Sequence, residues 1–378
     1  MRILLVGEFS RLHNSLKEGL VALGHEVHII GTGDDFKKFP VDFSISSKFS
    51  KFYAFRLLNK ITKKIITVDL ESWERGYRFK KILPQLKNYD VVQLINSDAL
   101  ETQPNFQIKL YTKLFEQNTK KFLLVCGDET PIVDFHLKNK LRYSVMTPFL
   151  KNPDLRKYYN YTLKYTTAPY RKLFNFLLKE CDAVFASDLD YKIPLEKEGF
   201  HFKMIPNPVN TDKITPVYFQ KNSKIVIFHG KNKYSFVKKG SDLFEEALAI
   251  IATKYKNKIE IISSDSLPYD QYILLQDRAT IILDQIYSFD QGYSALEAMA
   301  KGKVVFTGAE TEFYDYYNLS NRVAINALPD VADIIAKLSE LIENPEEIEN
   351  IGKNARNFVE KEHHYIKIAE EYLKNWKK

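Results

Sequence analysis

Long apolar runs are absent from this chain of 378 residues, and cysteine is rare. No stretch approaches the roughly 20 apolar residues that a membrane-spanning helix needs. The opening segment, Met1–Gly7, is too short and too soon interrupted to suggest a signal peptide. Two cysteines, Cys126 and Cys181, give no disulfide framework and no zinc site, so we expect reduced thiols. These absences predict a cytoplasmic protein.

Metal-binding and nucleic-acid-binding signatures are also missing. The eight histidines show no ligand spacing; we expect His363 and His364 on the surface of a tail helix and only His229 near a functional site. Asp188-Leu189-Asp190 has an Asp-x-Asp order that binds metal elsewhere, but it follows an apolar run and precedes a helical pattern, so we predict helix capping and no metal. The net charge of +7 comes without a recognisable nucleic-acid module.

The positive charge is concentrated in two stretches that also carry aromatic residues. Between Lys48 and Lys64 there are six cations and no acid. Between Lys138 and Lys172 there are nine Lys or Arg, one acid and seven aromatics. Such stretches favour an anionic bilayer surface, although ordinary solvated helix faces also explain them. Two readings therefore stay open, a soluble protein and one that binds peripherally to the inner face of a membrane.

The order of apolar strands and helical patterns predicts two α/β domains, because the chain is too long for one ordinary core. Strand, helix and strand within Arg2–Ile30 indicate a parallel, doubly wound sheet. Pro206 and Pro208 interrupt the pattern, and a polar linker runs to Ser223. We therefore predict Rossmann-like domains at residues 1–205 and 206–360, with a tail helix at about 361–378 that packs back on the first. The predicted strands are Arg2–Gly7, Val27–Ile30, Val91–Ile95, Phe122–Val125, Ala183–Ala186, Lys224–Phe228, Ile259–Ile262, Thr280–Leu283 and Val304–Thr307.

Three strand ends in the second half carry residues suited to a nucleotide diphosphate. His229-Gly230-Lys231 leads into a lysine-rich loop that ends in Lys239-Gly240; glycine admits a close ligand, and lysine supplies charge. Asp284-Gln285 ends the next strand. Gly292 opens a helix with Ser294 and Glu297, and free N–H groups at a helix N-terminus attract phosphate oxygens. Solvated lysines and a helix-terminal acid are the simpler alternative.

The strand ends of the first half are polar too. They are Gly7-Glu8-Phe9-Ser10, Asn96-Ser97-Asp98 and Gly127-Asp128-Glu129. Because such ends converge at one edge of a parallel sheet, we predict an acceptor site that includes Gly7, Glu8, Ser10, Asn96 and Asp128. A turn-capping role for Asp128 is the alternative.

Ile205-Pro206-Asn207-Pro208-Val209, Lys239-Gly240 and the segment Ala295–Val305 (ALEAMAKGKVV) occur in an order that resembles the GT-B glycosyltransferases of the GT4 family. The closing segment, Asn344–Glu360, is similar to the C-terminal helices of that family. The resemblance covers the second half and, more loosely, the strand order and Gly7 loop of the first. It implies a GT-B architecture, with two Rossmann-like doubly wound domains facing a central cleft.

The resemblance also implies roles for single residues. Glu297 matches the glutamate that binds the donor ribose, Lys239 the lysine that grips the diphosphate, and Lys231 stands where the family usually has arginine. Ser294 and the N–H groups of Gly292 and Tyr293 are expected to line the phosphates and sugar. The predicted donor-binding residues are Asn207, Gly230, Lys231, Lys239, Asp284, Gln285, Gly292, Tyr293, Ser294 and Glu297.

One position departs from the family pattern. The first glutamate of the Glu–seven residues–Glu motif falls on Phe289, with Asp290 one residue late. Asp284-Gln285 is similar to a subgroup of these transferases that carries Asp-Gln at this strand end. We therefore interpret Phe289 as subgroup variation, with loss of catalysis as the alternative.

The resemblance implies transfer of a sugar from a nucleotide-diphosphate sugar, with UDP or GDP as the nucleotide, to a saccharide or lipid-linked acceptor. The expected setting is surface or capsular polysaccharide or glycolipid assembly, with retained anomeric configuration, no metal and no cofactor. Lys239 and Asp128 are the candidate catalytic residues. A nucleotide-sugar 2-epimerase of the same architecture and a non-catalytic, membrane-associated nucleotide-sugar-binding protein are the alternatives.

Overall fold

The structure is a computed structural model that describes residues 1–34, 37–65, 68–220 and 223–377. The chain divides into two compact units. The first contains Met1–Thr130, Leu163–Ser187 and Ile366–Lys378, and the second contains Pro131–Thr162 and Asp188–Tyr365. Residues 221 and 222 of the predicted linker and Lys378 of the predicted tail helix lie outside the described residues.

The first unit is built on a parallel sheet. Its strands are β1 (Arg2–Val6), β2 (Glu26–Gly31), β3 (Phe43–Ser44), β4 (Val91–Leu94), β5 (Lys120–Val125) and β6 (Ala183–Ala186). They lie in the order β3-β2-β1-β4-β5-β6, and each neighbouring pair is parallel. The order reverses at β1, which lies between β2 and β4. Ligand sites of doubly wound sheets lie beyond the carboxyl ends of the strands at such a switch point.

Helices cover both faces of this sheet, which explains why its strands read as apolar runs. Ile3, Leu4 and Leu5, which point alternately to the two faces, are all fully buried. The helices are α1 (Leu12–Ala22), α2 (Tyr53–Ile65), α3 (Leu70–Ile82), α4 (Pro104–Glu116), α8 (Ala168–Glu180) and α16 (Tyr365–Trp376). The 3-10 turns are Phe49–Lys51, Leu83–Gln85 and Lys164–Thr166.

The second unit contains another parallel sheet. The strands within the range of this unit are β7 (Lys203–Met204), which is not part of that sheet, β8 (Ile225–Lys231), β9 (Ile259–Asp265), β10 (Ile281–Leu283), β11 (Val304–Thr307) and β12 (Ile325–Asn326). Five of them lie in the order β12-β11-β10-β8-β9, each pair parallel. The order reverses at β8, so a ligand site is expected beyond the ends of β8 and β10.

The described part of the second unit also contains several helices. They are α5 (Thr130–Leu137), α6 (Thr147–Lys151), α7 (Asn160–Leu163), α9 (Leu189–Lys197), α10 (Ser241–Lys254), α11 (Tyr269–Arg278), α12 (Tyr293–Ala300), α13 (Thr311–Tyr317), α14 (Val331–Glu343) and α15 (Pro345–Glu362). The 3-10 turns are Pro153–Tyr158 and Thr211–Lys213. Ile227 belongs to a core cluster that includes residues of α10 and α14, and Phe228, next in sequence, belongs to one that includes residues of α12 and α15.

The nine strands predicted from apolar runs are confirmed, although β8 and β9 each extend three residues further. The predicted cap is confirmed as well, because the Asp188 side chain accepts a hydrogen bond from the Tyr191 N–H at the start of α9. The surface position predicted for His363 is wrong. The tail breaks between α15 and α16, where His363 is buried and its Nδ1 lies 2.9 Å from the Asn207 carbonyl oxygen. No helix among the described residues is long and apolar enough to cross a membrane.

Candidate active site

Lys239 and Asp284 form an ion pair at the carboxyl end of the sheet in the second unit. Lys239 Nζ lies 2.8 Å from Asp284 Oδ1; the aspartate side chain is 4% exposed and the lysine side chain 32%. Asp284 Oδ2 is buried and has no hydrogen-bond partner among the described residues. A buried carboxylate thus holds an ammonium group that is still accessible to an anion from solvent.

The backbone around Gly240 fixes the position of this lysine. Gly240 has φ +68°, in the left-handed region that favours glycine. A Cβ atom there would lie 2.9 Å from Ile286 Cδ1, and the Ile286 N–H donates to the Lys239 carbonyl at 3.0 Å. The loop that ends in Lys239-Gly240 is therefore joined directly to the loop that follows β10.

Helix α12 carries Ser294 and Glu297, two of the predicted donor-binding residues, and α11 supplies a hydrogen-bond partner for each. The Tyr272 hydroxyl lies 3.1 Å from Ser294 Oγ, and the Tyr269 hydroxyl donates to Glu297 Oε1. The two tyrosines are three residues apart, so they share one face of α11. Glu297 is buried, with 6% of its surface exposed. Neither tyrosine was predicted as a site residue.

Gly230 makes room for one of these tyrosines. A Cβ atom on Gly230 would lie 2.4 Å from Tyr272 Cε2. Burial raises the pKa of Tyr272 well above its usual range, so its hydroxyl stays protonated at neutral pH. Gly230, the second-last residue of β8, is thus needed to accommodate the ring whose hydroxyl group reaches Ser294.

The loop between β10 and α12 brings Gln285 to the start of the helix. Gln285 Nε2 donates to Ser288 Oγ at 2.7 Å, and the Gln285 amide group is the nearest group to a Cβ built on Gly292, at 3.9 Å. The second unit therefore brings Gly230, Lys239, Asp284, Gln285, Gly292, Ser294 and Glu297 together around the ends of β8 and β10 and the start of α12. Tyr293 is partly buried against the core on the α12 side.

Phe289 occupies a buried position in the same loop. Its ring centroid lies 5.4 Å from that of Tyr143, and the Arg142 guanidinium lies 4.9 Å above its face. Arg142 pairs with Glu310 at 3.0 Å, and the Tyr143 hydroxyl donates to the same carboxylate. The residue in place of the motif glutamate is therefore packed under a cation and a tyrosine, beside another carboxylate.

Two aspartates, Asp190 and the buried Asp290, hold this loop to α9, and Asp188 is their buried neighbour. The Leu189 N–H donates to Asp290 Oδ2 at 3.0 Å, and the Phe289 N–H donates to Asp190 Oδ1 at 2.7 Å. Burial raises the pKa of Asp190 to about 6 and that of Asp290 to about 7, and burial together with both neighbours raises that of Asp188 as well. Part of the cluster is therefore protonated near neutral pH. No group of His, Cys, Asp or Glu within the described ranges is arranged to hold a metal ion.

Two predicted donor-binding residues lie apart from this group. Lys231 Nζ lies 2.5 Å from Glu245 Oε1 on α10. Asn207 is buried, and its carbonyl oxygen contacts His363. In the part of the chain that the structure describes, no hydrogen bond joins either of them to Lys239, Asp284 or α12.

In the first unit, the predicted residues at the end of β1 form a polar turn. Gly7 has φ +85°, and a Cβ there would lie 2.4 Å from Ile95 Cγ2. Glu8 Oε2 accepts from the backbone N–H and from Nδ2 of Asn14, at 2.8 and 2.6 Å, while burial raises its pKa to about 8. The Ser10 N–H donates to Asp34 Oδ2 at 2.7 Å.

Asn96 connects the ends of β4 and β5. Its Nδ2 donates to the Asp128 carbonyl at 3.1 Å and to the Cys126 carbonyl at 3.2 Å, and its Oδ1 accepts from the Tyr165 hydroxyl at 3.2 Å. The predicted pair of Asn96 and Asp128 is thus adjacent in space. The Asp128 side chain is partly exposed.

Three further polar residues at this edge were not predicted as site residues. Glu129 accepts from the Ser97 N–H and hydroxyl at 2.6 and 2.7 Å, and burial raises its pKa to about 8. Asp98 pairs with Lys164 at 2.6 Å. Both acids belong to the polar strand-end segments, so the sequence pattern could have identified them as site residues. Lys164 lies far from these segments along the chain, and no local pattern indicates it.

Residues 233–374 match the sequence model of a family described as glycosyl transferase-like. Solved structures resemble the chain over almost its full length. Sucrose-phosphate synthase from Thermosynechococcus elongatus is 13% identical with a TM-score of 0.63, covering 100% of this chain and 98% of that one. HepE from Anabaena, solved with UDP and glucose, is 11% identical with a TM-score of 0.59, covering 99% of both chains.

An isomerase has a related structure too. A putative UDP-N-acetylglucosamine 2-epimerase from Listeria monocytogenes is 11% identical with a TM-score of 0.52, covering 98% of this chain and 94% of that one. No curated protein sequence matches the chain at a significant level. At these identities the structural similarities show the fold alone.

These similarities define a protein of the GT-B fold, as the sequence motifs predicted. The family match places a glycosyl transferase-like domain on the segment that holds Lys239, Asp284 and α12. The predicted GT-B fold class is confirmed, and the match of residues 233–374 to a glycosyl transferase-like family supports the predicted family resemblance and enzyme class.

Proposed function

We propose that the protein transfers a sugar from a UDP- or GDP-sugar to a saccharide or lipid-linked acceptor in surface or capsular polysaccharide or glycolipid assembly. The observation that supports this most is the grouping of Lys239, the start of α12 and Glu297 within the glycosyl transferase-like segment. A cation, the N–H groups of a helix N-terminus and a carboxylate are the groups that a diphosphate and a ribose need.

In the proposed reaction the donor diphosphate binds Lys239 and the N–H groups at the start of α12. Glu297 accepts hydrogen bonds from the ribose hydroxyls, while Tyr269 orients its carboxylate. Cleavage of the anomeric C–O bond leaves negative charge on the β-phosphate. Preorganised donors that stabilise such charge contribute about 3–4 kcal/mol each to lowering the barrier.

The acceptor is assigned to the first unit, where Asp128 and Asn96 are neighbours. Asp128 is the proposed contact to the acceptor or the transferred sugar, and Glu8 and Ser10 border the same sheet edge. Front-face attack by the acceptor hydroxyl, with retention of anomeric configuration, follows the GT4 resemblance. The proposed working place is the cytoplasmic side of a membrane, where lipid-linked acceptors are carried.

The proposed transfer needs neither a metal ion nor a separate cofactor. Lys239 and the N–H groups of α12 supply positive charge where metal-dependent enzymes place a cation. We expect full activity in EDTA. A complete loss that manganese or magnesium restores would contradict this part of the proposal.

Ligand binding tests the donor assignment before any acceptor is known. Calorimetry with UDP and GDP is expected to show binding of one or both, because HepE has been solved with UDP. A ligand at 100 times its dissociation constant also raises the stability of the folded protein by about 2.7 kcal/mol, which thermal shift detects. Absence of binding by every nucleoside diphosphate would contradict the proposal.

The epimerase neighbour gives the second candidate function a specific basis. Incubation with UDP-N-acetylglucosamine and no acceptor separates the two functions. Epimerised nucleotide sugar would indicate an isomerase, and product that forms only with acceptor would indicate transfer. Donor binding without turnover over donor and acceptor panels would indicate a non-catalytic binding protein.

A further inference from the structure

Helix α2 presents its apolar residues to solvent and buries a polar one. Of the described residues of this helix, Asn59 alone is buried. Tyr53, Leu57, Ile61 and Ile65, each four residues from the next, are 73%, 48%, 45% and 73% exposed. Residues at this spacing form one stripe along a helix. A helix that packs on a globular core has the opposite arrangement, with its apolar stripe inside.

Polar contacts hold the helix in this orientation. Asn59 Oδ1 accepts from the Leu70 N–H at 2.6 Å, and Asn59 Nδ2 donates to Asp69 Oδ1 at 3.3 Å. Lys63 Nζ lies 2.6 Å from Asp69 Oδ2. Asp69 is also the N-cap of α3. The start of α3 thus binds the polar side of α2, and the apolar stripe points outward.

The turn before α2 extends the same apolar surface. Phe52 is 62% exposed, and the Phe49 and Phe55 rings lie 5.8 Å apart. Glu74 of α3 anchors this turn, accepting from the Lys48 N–H at 2.7 Å. The exposed aromatic groups are therefore held by a fixed backbone on the same unit.

Positive charge borders the apolar stripe. From Lys48 to Ile65 there are six cations and no acid. Arg56, Lys60, Lys63 and Lys64 belong to α2, and all four are exposed. At 3.6 residues per turn Arg56, Lys60 and Lys64 lie along one side of the stripe, whereas Lys63, four residues after Asn59, lies on the polar side and pairs with Asp69. Lysine and arginine side chains can extend to lipid headgroups while their stems lie along an apolar surface.

We propose that this surface docks on an anionic lipid bilayer. We define the docking face as Phe52, Tyr53, Leu57, Leu58, Ile61 and Ile65, together with the cations Lys48, Lys51, Arg56, Lys60 and Lys64. Helix α2 lies in the plane of the interface, its apolar stripe enters the boundary between headgroups and acyl chains, and its cations contact anionic headgroups. This goes beyond the proposed function, since docking requires no sugar transfer.

Charge complementarity selects the bilayer among the occupants of this face. A second copy of the chain would bring Lys48, Lys51, Arg56, Lys60 and Lys64 against the same five cations, with no acid between Lys48 and Lys64 to compensate them. An anionic leaflet satisfies both parts of the face at once, because it offers negative charge at the surface and an apolar layer just below. The bilayer also buries the six large exposed apolar side chains, which a purely acidic partner would leave in water.

The second basic stretch does not belong to the docking face. Its aromatic residues Tyr143, Tyr159 and Tyr165 are buried in the structure. Arg142 and Lys164, two of its cations, pair with Glu310 and Asp98. These buried rings serve folding, and although Tyr158 and Tyr161 are exposed, the proposal rests on α2 and the turn before it.

Vesicle co-sedimentation of the full chain, without any nucleotide sugar, tests the proposal independently of catalysis. We expect binding to vesicles of phosphatidylcholine with 30% phosphatidylglycerol, taken as an example on the order of natural anionic content. Binding should fall at least tenfold in pure phosphatidylcholine and weaken as salt is raised from about 0.1 to 0.5 M. No binding to anionic vesicles at low salt would overturn the proposal.

Matched variants locate the contact. The triple change Arg56→Glu, Lys60→Glu and Lys64→Glu, which leaves the Lys63–Asp69 pair intact, and the pair Leu57→Asn and Ile61→Asn, are each expected to reduce binding at least tenfold. A control with the same charge change, at the exposed residues Lys109, Lys113 and Lys256, should keep it. An equal loss in the control, or no loss in the α2 variants, would overturn the proposal.

A fluorescent reporter distinguishes insertion from simple adsorption. The natural tryptophans, Trp73 and Trp376, are partly and fully buried, so Leu57→Trp places a reporter on the docking face itself. Its emission should shift to shorter wavelength with anionic vesicles and be quenched by brominated acyl chains. Unchanged emission, or a dimer in sedimentation velocity that Leu57→Asn dissolves, would show that another surface covers this helix.

Discussion

Replacing Lys239 with methionine tests the centre of the proposed donor site. The change removes the ammonium group and keeps a stem of similar length. It leaves the Asp284 carboxylate, only 4% exposed, without its cation. If the site has been assigned correctly, two separate properties change, the stability of the second unit and the affinity for nucleoside diphosphates.

The structure gives a magnitude for each change. Losing a charge-assisted hydrogen bond to a buried carboxylate costs about 1.5–3 kcal/mol, and we expect about 2 because the lysine is partly exposed to water. Loss of the same kind of bond to a diphosphate lowers affinity roughly 10- to 150-fold. Adding Asp284→Asn removes the stranded charge, so the double variant should recover at least half of the lost stability.

Urea unfolding and calorimetry with UDP or GDP, applied to the wild type, both single variants and the double variant, separate these effects. We expect the double variant to regain stability while its diphosphate affinity stays low. Lys233→Met, an exposed lysine in the same loop, is the control and should change neither quantity. If the double variant binds diphosphate as the wild type does, Lys239 only neutralises Asp284 and does not contact the donor.

Three further changes follow from the structure. Glu297→Gln should lower UDP affinity by about 1.5–3 kcal/mol and remove the preference for UDP over its 2′-deoxy analogue in calorimetry, and an unchanged preference would refute the ribose assignment. Gly240→Ala should destabilise the protein by about 1–3 kcal/mol in urea, because the residue has φ +68° and a Cβ would lie 2.9 Å from Ile286 Cδ1. Burial raises the pKa of Glu129 from 4.5 to about 8, so its stabilising contribution is complete below pH 4.5 and is lost as pH rises to 8. The melting temperature of Glu129→Gln should therefore exceed that of the wild type increasingly between pH 5 and pH 8.

Local patterns were enough to predict the strands and many of the residues that the structure groups around the ends of β8 and β10. An apolar run such as Val304–Thr307 can form a buried parallel strand without information from elsewhere in the chain. The Lys239-Gly240 pair can be recognised in the sequence because Gly240 is needed for a positive φ, which is a local requirement. Glu297 belongs to a continuous motif on one helix.

The remaining site residues depend on contacts between distant segments. Tyr269 and Tyr272 lie on a helix that the periodicity predicts, but nothing in α11 shows that its hydroxyl groups reach Glu297 and Ser294. Arg142 and Glu310 are 168 positions apart. His363 was placed on the surface because its neighbours read as one continuous helix, whereas the chain breaks there to pair with Val209.

The docking face could not be predicted from the sequence for a different reason. Both basic stretches carry aromatics, and the sequence could not separate them. In the structure, Tyr159 and Tyr165 of the second stretch are buried, whereas Tyr53 and Leu57 of the first are exposed because Asn59 binds the start of α3. Which face of an amphipathic helix is turned inward is decided by its tertiary partner, here a polar one.

Phe289 is best understood through its neighbours. Its N–H is held by Asp190, beside Asp290, whose carboxyl pKa burial raises to about 7. A glutamate at this buried position would add an acid to a cluster that already retains protons, and its charge would cost several kcal/mol. An uncharged aromatic ring instead packs on Tyr143 and receives the Arg142 guanidinium on its face.

The same neighbourhood supplies another carboxylate. Glu310 is held by Arg142 at 3.0 Å and by the Tyr143 hydroxyl, in the same packed group as Phe289. The departure at position 289 is therefore matched by an arginine, a tyrosine and an acid from two other segments, and is not an isolated loss of a functional group. A coordinated set of this kind agrees better with subgroup variation in sugar recognition than with decay of the site, since decay would leave the surrounding charges unpaired.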